Sequence, residues 1–333
     1  MVGVFKTSNR SKGAGQLMIA TVLIALAGGC ASALMFASIS SGAPVSLLLL
    51  YLAPLPLMVV ALGWGPLSAT IASATASFAL AAIFGIPYGI GYIIGVALPS
   101  WWLGHLALLG RPVAWSGNGA AAPDIEWYPV GRILVWIAGF ASLTTICILL
   151  TYGTDAPAIL ATLKQGLLRI LEIRGVAADE KVLDALVTIM PACAVIGVIV
   201  TLTINLWLAA RITAMSGRLR RPWPDLKTAA LPKTTLVALC VATACTLAGG
   251  LLAIFAEIVT SALMLAYGFA GFAVLHTLTL ASKSRALWLG SAYAVVVLFV
   301  WPVIAIVVLG LADAVFGFRR RYLRRQPPPL PAP

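Results

Sequence analysis

Long apolar segments constrain this chain more than any other feature of its sequence. Nine such segments are separated by short polar stretches, and they lie at about 16–37, 44–62, 66–86, 88–109, 130–151, 186–210, 234–256, 258–281 and 286–312. A helix of roughly 20 apolar residues crosses the hydrocarbon core of a bilayer, where the backbone finds no hydrogen-bond partner outside its own segment. The sequence therefore predicts an all-α fold, a polytopic transmembrane helical bundle.

The composition supports a membrane protein and argues against a nucleic-acid-binding one. The chain is 61% hydrophobic and only 10% charged, whereas soluble domains are about 25% charged. Its net charge of +12 comes from basic residues at the edges of apolar segments, where membrane proteins usually carry them. A nucleic-acid-binding protein would spread them over a folded polar face. We expect membrane lipid as a partner and no nucleic acid.

The distribution of charge predicts the orientation. Lysine and arginine in short loops stay on the cytoplasmic side of a membrane. They concentrate in residues 1–15, 211–233 and 318–333, whereas 152–185 holds more acidic than basic residues. We therefore expect both termini and the 211–233 loop in the cytoplasm of a bacterium, the 152–185 loop outside, and the protein in the inner membrane.

The loop at 211–233 contains the stretch RLRRPWPDLK. Arg218, Arg220, Arg221 and Trp223 are typical of a cytoplasmic anchor, in which arginines face anionic lipid and tryptophan lies at the depth of the headgroups. The alternative is a docking site for a soluble partner.

The number of spans follows from the same orientation. Three apolar segments remain after residue 233, but a cytoplasmic C-terminus requires an even number of crossings. We therefore predict eight spans, with nine as the alternative, and expect the irregular 234–281 region to include an incomplete crossing. Residues 16–317 form a single transmembrane domain in this interpretation, between a basic tail at 1–15 and a basic, then proline-rich, tail at 318–333.

The predicted outside loop, 152–185, contains leucines at helical spacing from Leu160 to Leu171, interrupted by Lys164 and Arg169. This pattern predicts an amphipathic helix. The helix either lies in the membrane interface or packs on the bundle.

Few ionisable or strongly polar side chains lie in the apolar segments, and those that do often have a function. Glu257 falls between two segments, His276 lies inside the next one, and Asn205 lies in the sixth. We consider these residues candidates for ligand binding, Glu257 first. The alternatives are a hydrogen bond from His276 to a neighbouring helix and an interfacial position for Glu257.

Prolines and tyrosines mark a second group of candidates. Pro54 and Pro56 interrupt the second segment, and broken helices at membrane depth occur where they are buried in protein or line a cavity. Together with Tyr51, Tyr88 and Tyr92 they suggest a pocket for a neutral or apolar ligand.

Small residues repeat every four positions on the first segment, including Ala25, Gly29 and Ala33. Such stripes let helices approach closely. They indicate either packing within the chain or a face for docking a second membrane subunit.

Motifs for hydrolytic or phosphate chemistry are missing from the sequence. There is no HExxH, no GxSxG and no GxxxxGK[ST], the motifs that carry zinc hydrolysis, serine nucleophiles and phosphate binding. The five cysteines lie in apolar stretches without metal-ligand spacing. We expect no enzyme activity, no metal and no cofactor.

Five stretches carry a family resemblance: YLAPLPLMVVALGWGP at 51–66, INLWLAARITAMSGRLRRPWPDL at 204–226, AE at 256–257, GFAVLH at 271–276 and LGLADAVFGFRRR at 309–321. In that order they resemble the YybS-like family of multispan bacterial membrane proteins, a domain of unknown function. That family is distantly similar to the S components of energy-coupling factor (ECF) transporters.

The resemblance implies an S-component-like helical core with a ligand pocket towards the outside. It also implies that Ala25, Gly29 and Ala33 dock onto a coupling subunit of an energising ATPase module. S components are shorter and have six spans, so this is a likeness of fold.

Two functional hypotheses follow. The first is a substrate-binding or transport subunit for a small, largely uncharged molecule. The second is a membrane scaffold or regulator of envelope assembly without transport activity.

Overall fold

The computed structural model of the chain describes residues 5–113, 124–175, 179–225, 229–280, 282–299 and 301–325. The proline-rich stretch at 326–333, Lys227 in the basic loop and the first four residues of the predicted basic tail lie outside the described residues. The described part is almost entirely helical, so the predicted all-α helical bundle is confirmed. The helices are α1 (Phe5–Ala37), α2 (Pro44–Leu52), α3 (Pro54–Trp64), α4 (Pro66–Phe84), α5 (Ile86–Tyr92), α6 (Leu98–Leu108), α7 (Val130–Leu150), α8 (Ala156–Ile173), α9 (Glu180–Met215), α10 (Lys233–Cys245), α11 (Gly250–Leu278), α12 (Arg285–Phe299), α13 (Val303–Phe316) and α14 (Phe318–Arg325).

Three irregular helical turns and one small sheet complete the secondary structure of the described residues. Ser38–Ser41 and Thr246–Ala248 are short 3₁₀ turns, and Ile93–Ala97 is a π-helical segment between α5 and α6. Strands β1 (Gly110–Val113) and β2 (Asp124–Trp127) pair antiparallel. The sequence predicts only a polar loop in the place of this ribbon.

Among the described residues, seven helices are long and apolar enough to cross a membrane. They are Met18–Ser41, Pro44–Trp64, Pro66–Phe84, Ile86–Leu108, Val130–Leu150, Glu180–Met215 and Gly250–Leu278. The first six correspond to the first six predicted segments. The sequence predicts eight spans, and the difference lies wholly in the C-terminal third, where three further apolar helices are shorter.

Two breaks explain the short helices. The chain reverses at Gly249 and Gly250, whose φ angles of +75° and +62° suit glycine, so α10 ends well before the predicted boundary near residue 257. The ninth predicted segment is divided between α12 and α13, with Pro302 immediately before α13. Proline cannot donate the helical hydrogen bond that would join them.

The contact pattern divides the chain into two compact units. Unit 1 consists of Met1–Tyr128 and Val198–Pro222, and unit 2 consists of Pro129–Gly197 and Trp223–Pro333. Helix α9 supplies its first part to unit 2 and its last part to unit 1. The sequence predicts a single transmembrane domain over residues 16–317.

Unit 1 is held together by close helix contacts at small residues. The Cβ of an alanine at Gly29 of α1 would meet the carbonyl oxygen of Ala72 on α4, and one at Gly104 of α6 would meet Ala61 of α3. Small residues at such crossings let helices approach and gain dispersion contacts where lipid removes the hydrophobic driving force.

Unit 2 is built around α11, which packs against α7, α10 and α13. A Cβ at Gly271 would meet the carbonyl oxygen of Ile306, and one at Gly310 would meet that of Tyr267. Since Ile306 faces Gly271 and the later Gly310 faces the earlier Tyr267, α13 runs antiparallel to α11.

The predicted amphipathic helix is α8, and it packs on unit 2 through its first half. Asp155 caps it by accepting a hydrogen bond from the amide of Ala158 at 2.8 Å. Ile159 and Leu163 are buried, whereas Ile173 at the far end is 80% exposed. The first half of α8 therefore packs on the bundle, which is the second of the two alternatives that the sequence leaves open.

Candidate functional site

Buried polar side chains of unit 1 meet at the break in the second span. Pro54 separates α2 from α3 and has no amide hydrogen to donate. Two side chains donate to carbonyls beside it: Ser32 Oγ to Ala53 O at 2.6 Å, and Asn205 Nδ2 to Tyr51 O at 2.7 Å. Backbone groups freed at membrane depth need such partners.

A chain of hydroxyl groups connects this break to the fourth span. Tyr92 is fully buried, and its hydroxyl lies 2.7 Å from Ser32 Oγ. Because Ser32 has one hydroxyl hydrogen and donates it to Ala53 O, Tyr92 donates to Ser32. The π-helical segment Ile93–Ala97 follows Tyr92 directly, and π segments are frequent at functional sites.

Asn205 presents a free acceptor within this environment. Its side-chain nitrogen donates to both Tyr51 O and Thr201 O, the latter at 2.8 Å, and these two acceptors fix the orientation of the amide. Asn205 is 1% exposed, and its Oδ1 has no hydrogen-bond partner among the described residues. Ser100, after the π-helical segment, is fully buried and its Oγ has no partner there either. Buried acceptors of this kind usually bind water or a ligand.

Aromatic rings surround the hydroxyl chain on one side. Phe36 makes edge-to-face contacts with Tyr88 and Tyr92, with ring centroids 5.3 and 5.1 Å apart. Phe84 stacks on Tyr88 at 4.8 Å. The structure thus places Tyr88 and Tyr92 against the same ring, that of Phe36. It adds Ser32, Phe36 and Phe84, which the sequence does not single out. Ser32 cannot be distinguished in the sequence, because the first span contains many small residues.

Tyr51 differs from the other two predicted tyrosines. Its side chain is 53% exposed, and only its backbone carbonyl reaches the polar break. Tyr51 therefore takes part in the site through its backbone carbonyl, and a tyrosine in the sequence does not predict that role.

Glu257 and His276 lie in unit 2, and both belong to the continuous helix α11. Their separation along it is about 28 Å, so the two side chains do not come together. The reason is that the chain turns at Gly249–Gly250, which leaves Glu257 inside the helix. His276 Nε2 lies 2.8 Å from the hydroxyl of Tyr293 on α12, in agreement with the alternative of a hydrogen bond to a neighbouring helix.

The predicted docking face on the first span is used within unit 1. Ala25 is fully buried, Ala33 is 7% exposed, and Gly29 lies against the backbone of Ala72 on α4. This is the packing interpretation of the stripe of small residues.

The predicted anchor residues have different roles. Arg221 donates to two backbone carbonyls, Ala107 O at 3.1 Å and Tyr128 O at 3.0 Å, and burial lowers the pKa of its guanidinium. Arg218 lies over the ring of Trp64 at 4.6 Å, a cation–π contact. Arg220 is exposed, and Trp223 is 46% exposed. Arg221 therefore connects the loop to the backbone at Ala107 and Tyr128.

An ion pair that the sequence does not predict lies at the end of α13. Asp313 Oδ2 accepts from Arg319 Nε at 2.7 Å, and Asp313 Oδ1 accepts from the amide of Arg319 at 2.9 Å. Arg319 Nη1 also donates to Ala229 O at 2.6 Å. Both charged residues are 6% exposed. In the sequence, Asp313 stands six residues before Arg319, with Gly317 between them. Two residues at this spacing do not face each other in a regular helix.

Metal-binding groups are not found in the described part of the chain. No three His, Cys, Asp or Glu side chains come together there, and the five cysteines are free.

The fold and these sites define a multispan, all-α membrane protein. Residues 172–314 match a family model described as a predicted membrane protein, DUF2232. A search of curated proteins and a search of solved structures each gave no match. The family match supports a multispan membrane protein and does not test the resemblance to YybS-like proteins or to S components.

Proposed function

We propose that this protein is a membrane-embedded subunit that binds a small, largely uncharged molecule for transport. The observation that carries the proposal is the free, buried acceptor of Asn205 beside the broken second span. A polar atom left unpaired in a membrane interior is costly, so a bound molecule or water that donates a hydrogen bond to it would be stabilised.

The surroundings favour an uncharged molecule. From Met18 to Leu108 the sequence contains no Asp, Glu, Lys or Arg, so these spans offer no counter-ion to a charged ligand. Aromatic rings and a few hydroxyl groups remain, and small-molecule sites are typically apolar with a small number of placed polar groups. The S-component resemblance points to the same activity and to a separate energising module.

Retention of a ligand by variants tests the proposal. The protein is purified in mild detergent and its native mass spectrum is compared with those of Asn205→Ala and Thr145→Val. Thr145 is a matched control, because it also has a buried, unpartnered hydroxyl but lies in unit 2. We expect a small molecule on the wild type and on Thr145→Val, and much less on folded Asn205→Ala.

Equal retention by Asn205→Ala would remove Asn205 from the site. No small molecule on the wild type, together with co-purifying envelope proteins, would favour the scaffold instead. A co-purifying ATPase with its membrane coupling subunit would support the transport role.

We also propose an inner-membrane location with the loop at 211–233 in the cytoplasm. The contacts of Arg221 support the underlying count of crossings, since they hold that loop at the same end of unit 1 as Ala107 and Tyr128. Cysteines introduced at Gly175 and Ser216, after replacement of the native cysteines, test the orientation. An impermeant reagent should label position 175 from outside and not 216; the reverse pattern would overturn it.

A further inference from the structure

The C-terminal helix α14 is basic and follows an apolar helix directly. Its sequence is FRRRYLRR, and no acidic residue follows Asp313 in the chain. The preceding helix α13 ends at Phe316, and Gly317 turns the chain with a φ of +67°. The basic helix therefore begins two residues after an apolar helix ends.

Arg319 fixes the orientation of α14. Its backbone amide and Nε both donate to Asp313, and its Nη1 donates to Ala229 O. With both charged side chains 6% exposed, this clamp defines the inward face of α14.

The next two arginines lie on another face of the helix. At 100° per residue, positions 320 and 321 are turned away from position 319. Arg320 and Arg321 are exposed, and their side chains make no hydrogen bond or ion pair among the described residues.

Apolar residues beside these arginines place them at the edge of a bilayer. Val315 is 62% exposed and Phe316 is 55% exposed, and the ring of Phe316 stacks on that of Phe318 at 5.7 Å. Aromatic residues are enriched at the level of lipid headgroups. Arginine clusters just beyond an apolar helix attract anionic lipid.

We propose that the exposed face of α14 binds the phosphate groups of anionic phospholipids, and that the Asp313–Arg319 clamp presents this face to the membrane. The surface is separate from the ligand site around Asn205. Asp313 is a positioning residue, because it acts on the lipid-binding arginines only through Arg319.

Hydrogen exchange of the full-length protein in lipid nanodiscs tests the proposal. One set of discs contains phosphatidylcholine alone, and the other contains phosphatidylcholine mixed with phosphatidylglycerol. Contact of one arginine with an anionic surface should lower the population of the open, exchanging state of α14 by a factor of about five. Two arginines should therefore slow amide exchange in residues 318–325 by about 30-fold in the anionic discs. Exchange in α11 should be the same in both.

Variants separate charge from folding. Arg320→Gln with Arg321→Gln should abolish the difference between the two lipids, and lysine at both positions should restore it. Asp313→Asn should also abolish the difference while α11 keeps its protection.

Equal exchange of wild-type α14 in the two lipids would overturn the proposal. So would protection that arises in phosphatidylcholine discs only when a cytosolic extract is added, since that result would identify a soluble partner.

Discussion

Removing the hydroxyl groups of Ser32 and Tyr92 should destabilise the protein unequally and non-additively. Tyr92→Phe deletes one donor and keeps the shape of the ring, while Ser32 still donates to Ala53 O. Hydrogen bonds between membrane helices contribute about 0.6 kcal/mol on average and up to about 1.7 kcal/mol, so we expect a loss of about 1 kcal/mol. Ser32→Ala leaves two buried groups, the carbonyl of Ala53 and the hydroxyl of Tyr92, without a hydrogen-bond partner. It should lower the free energy of unfolding by about 2–4 kcal/mol.

The double variant gives the sharpest result. Phenylalanine at position 92 removes the hydroxyl that Ser32→Ala strands, so the double variant should be more stable than Ser32→Ala alone by about 1 kcal/mol. The free energy of unfolding is measured by steric trapping in bicelles. Tyr88→Phe is the control, because its hydroxyl reaches Phe36 O only at 3.5 Å and its loss should change little. Equal losses for the two tyrosine variants, or additive losses in the double variant, would refute the reasoning.

Three further predictions concern helix packing, the basic loop and pH. Gly310→Ala should lower the unfolding temperature, with a cost of about 1–3 kcal/mol, because its Cβ meets a carbonyl oxygen of α11; Gly290→Ala, which meets nothing within 4 Å, should not. Arg221→Gln should cost about 2 kcal/mol by losing two charge-assisted hydrogen bonds, whereas Gln at the exposed Arg220 should be neutral; equal unfolding temperatures would contradict this. The hydrogen bond to Asp184 raises the pKa of Lys164 above its ordinary 10.5. The ion pair between them therefore contributes its full stability below pH 10.5, and this stability is lost as the pH rises through the raised pKa of Lys164. The effect of Lys164→Met on stability should therefore be constant near neutral pH and vanish only in strong alkali, and loss near pH 8 would be contrary to this assignment.

Segment length and hydropathy predict most of the fold, because lipid forces long apolar runs to be helical. The first six segments correspond to six helices of spanning length. The same reasoning fails after residue 233, where Gly249, Gly250 and Pro302 divide apolar sequence into shorter helices. Hydropathy is insensitive to these breaks, because glycine and proline in an apolar run change the backbone without changing the mean polarity.

Prediction of the candidate site depended on the type of signal. Proline marks a broken helix directly, so Pro54 predicts the polar break, and Asn205 stands out as a polar residue in an apolar span. Ser32 does not stand out, because one serine among many small residues carries no distinguishing pattern. Glu257 and His276 are candidates by chemistry alone, and the structure places both on one continuous helix, about 28 Å apart.

A density map of the protein, purified gently from its own membranes, tests the central claim most directly. We expect non-protein density larger than one water molecule within hydrogen-bonding distance of Asn205 Oδ1, next to Tyr92 and the break at Pro54. A side chain packed against Asn205 Oδ1, or a single water there in a preparation that retains no small molecule, would contradict it.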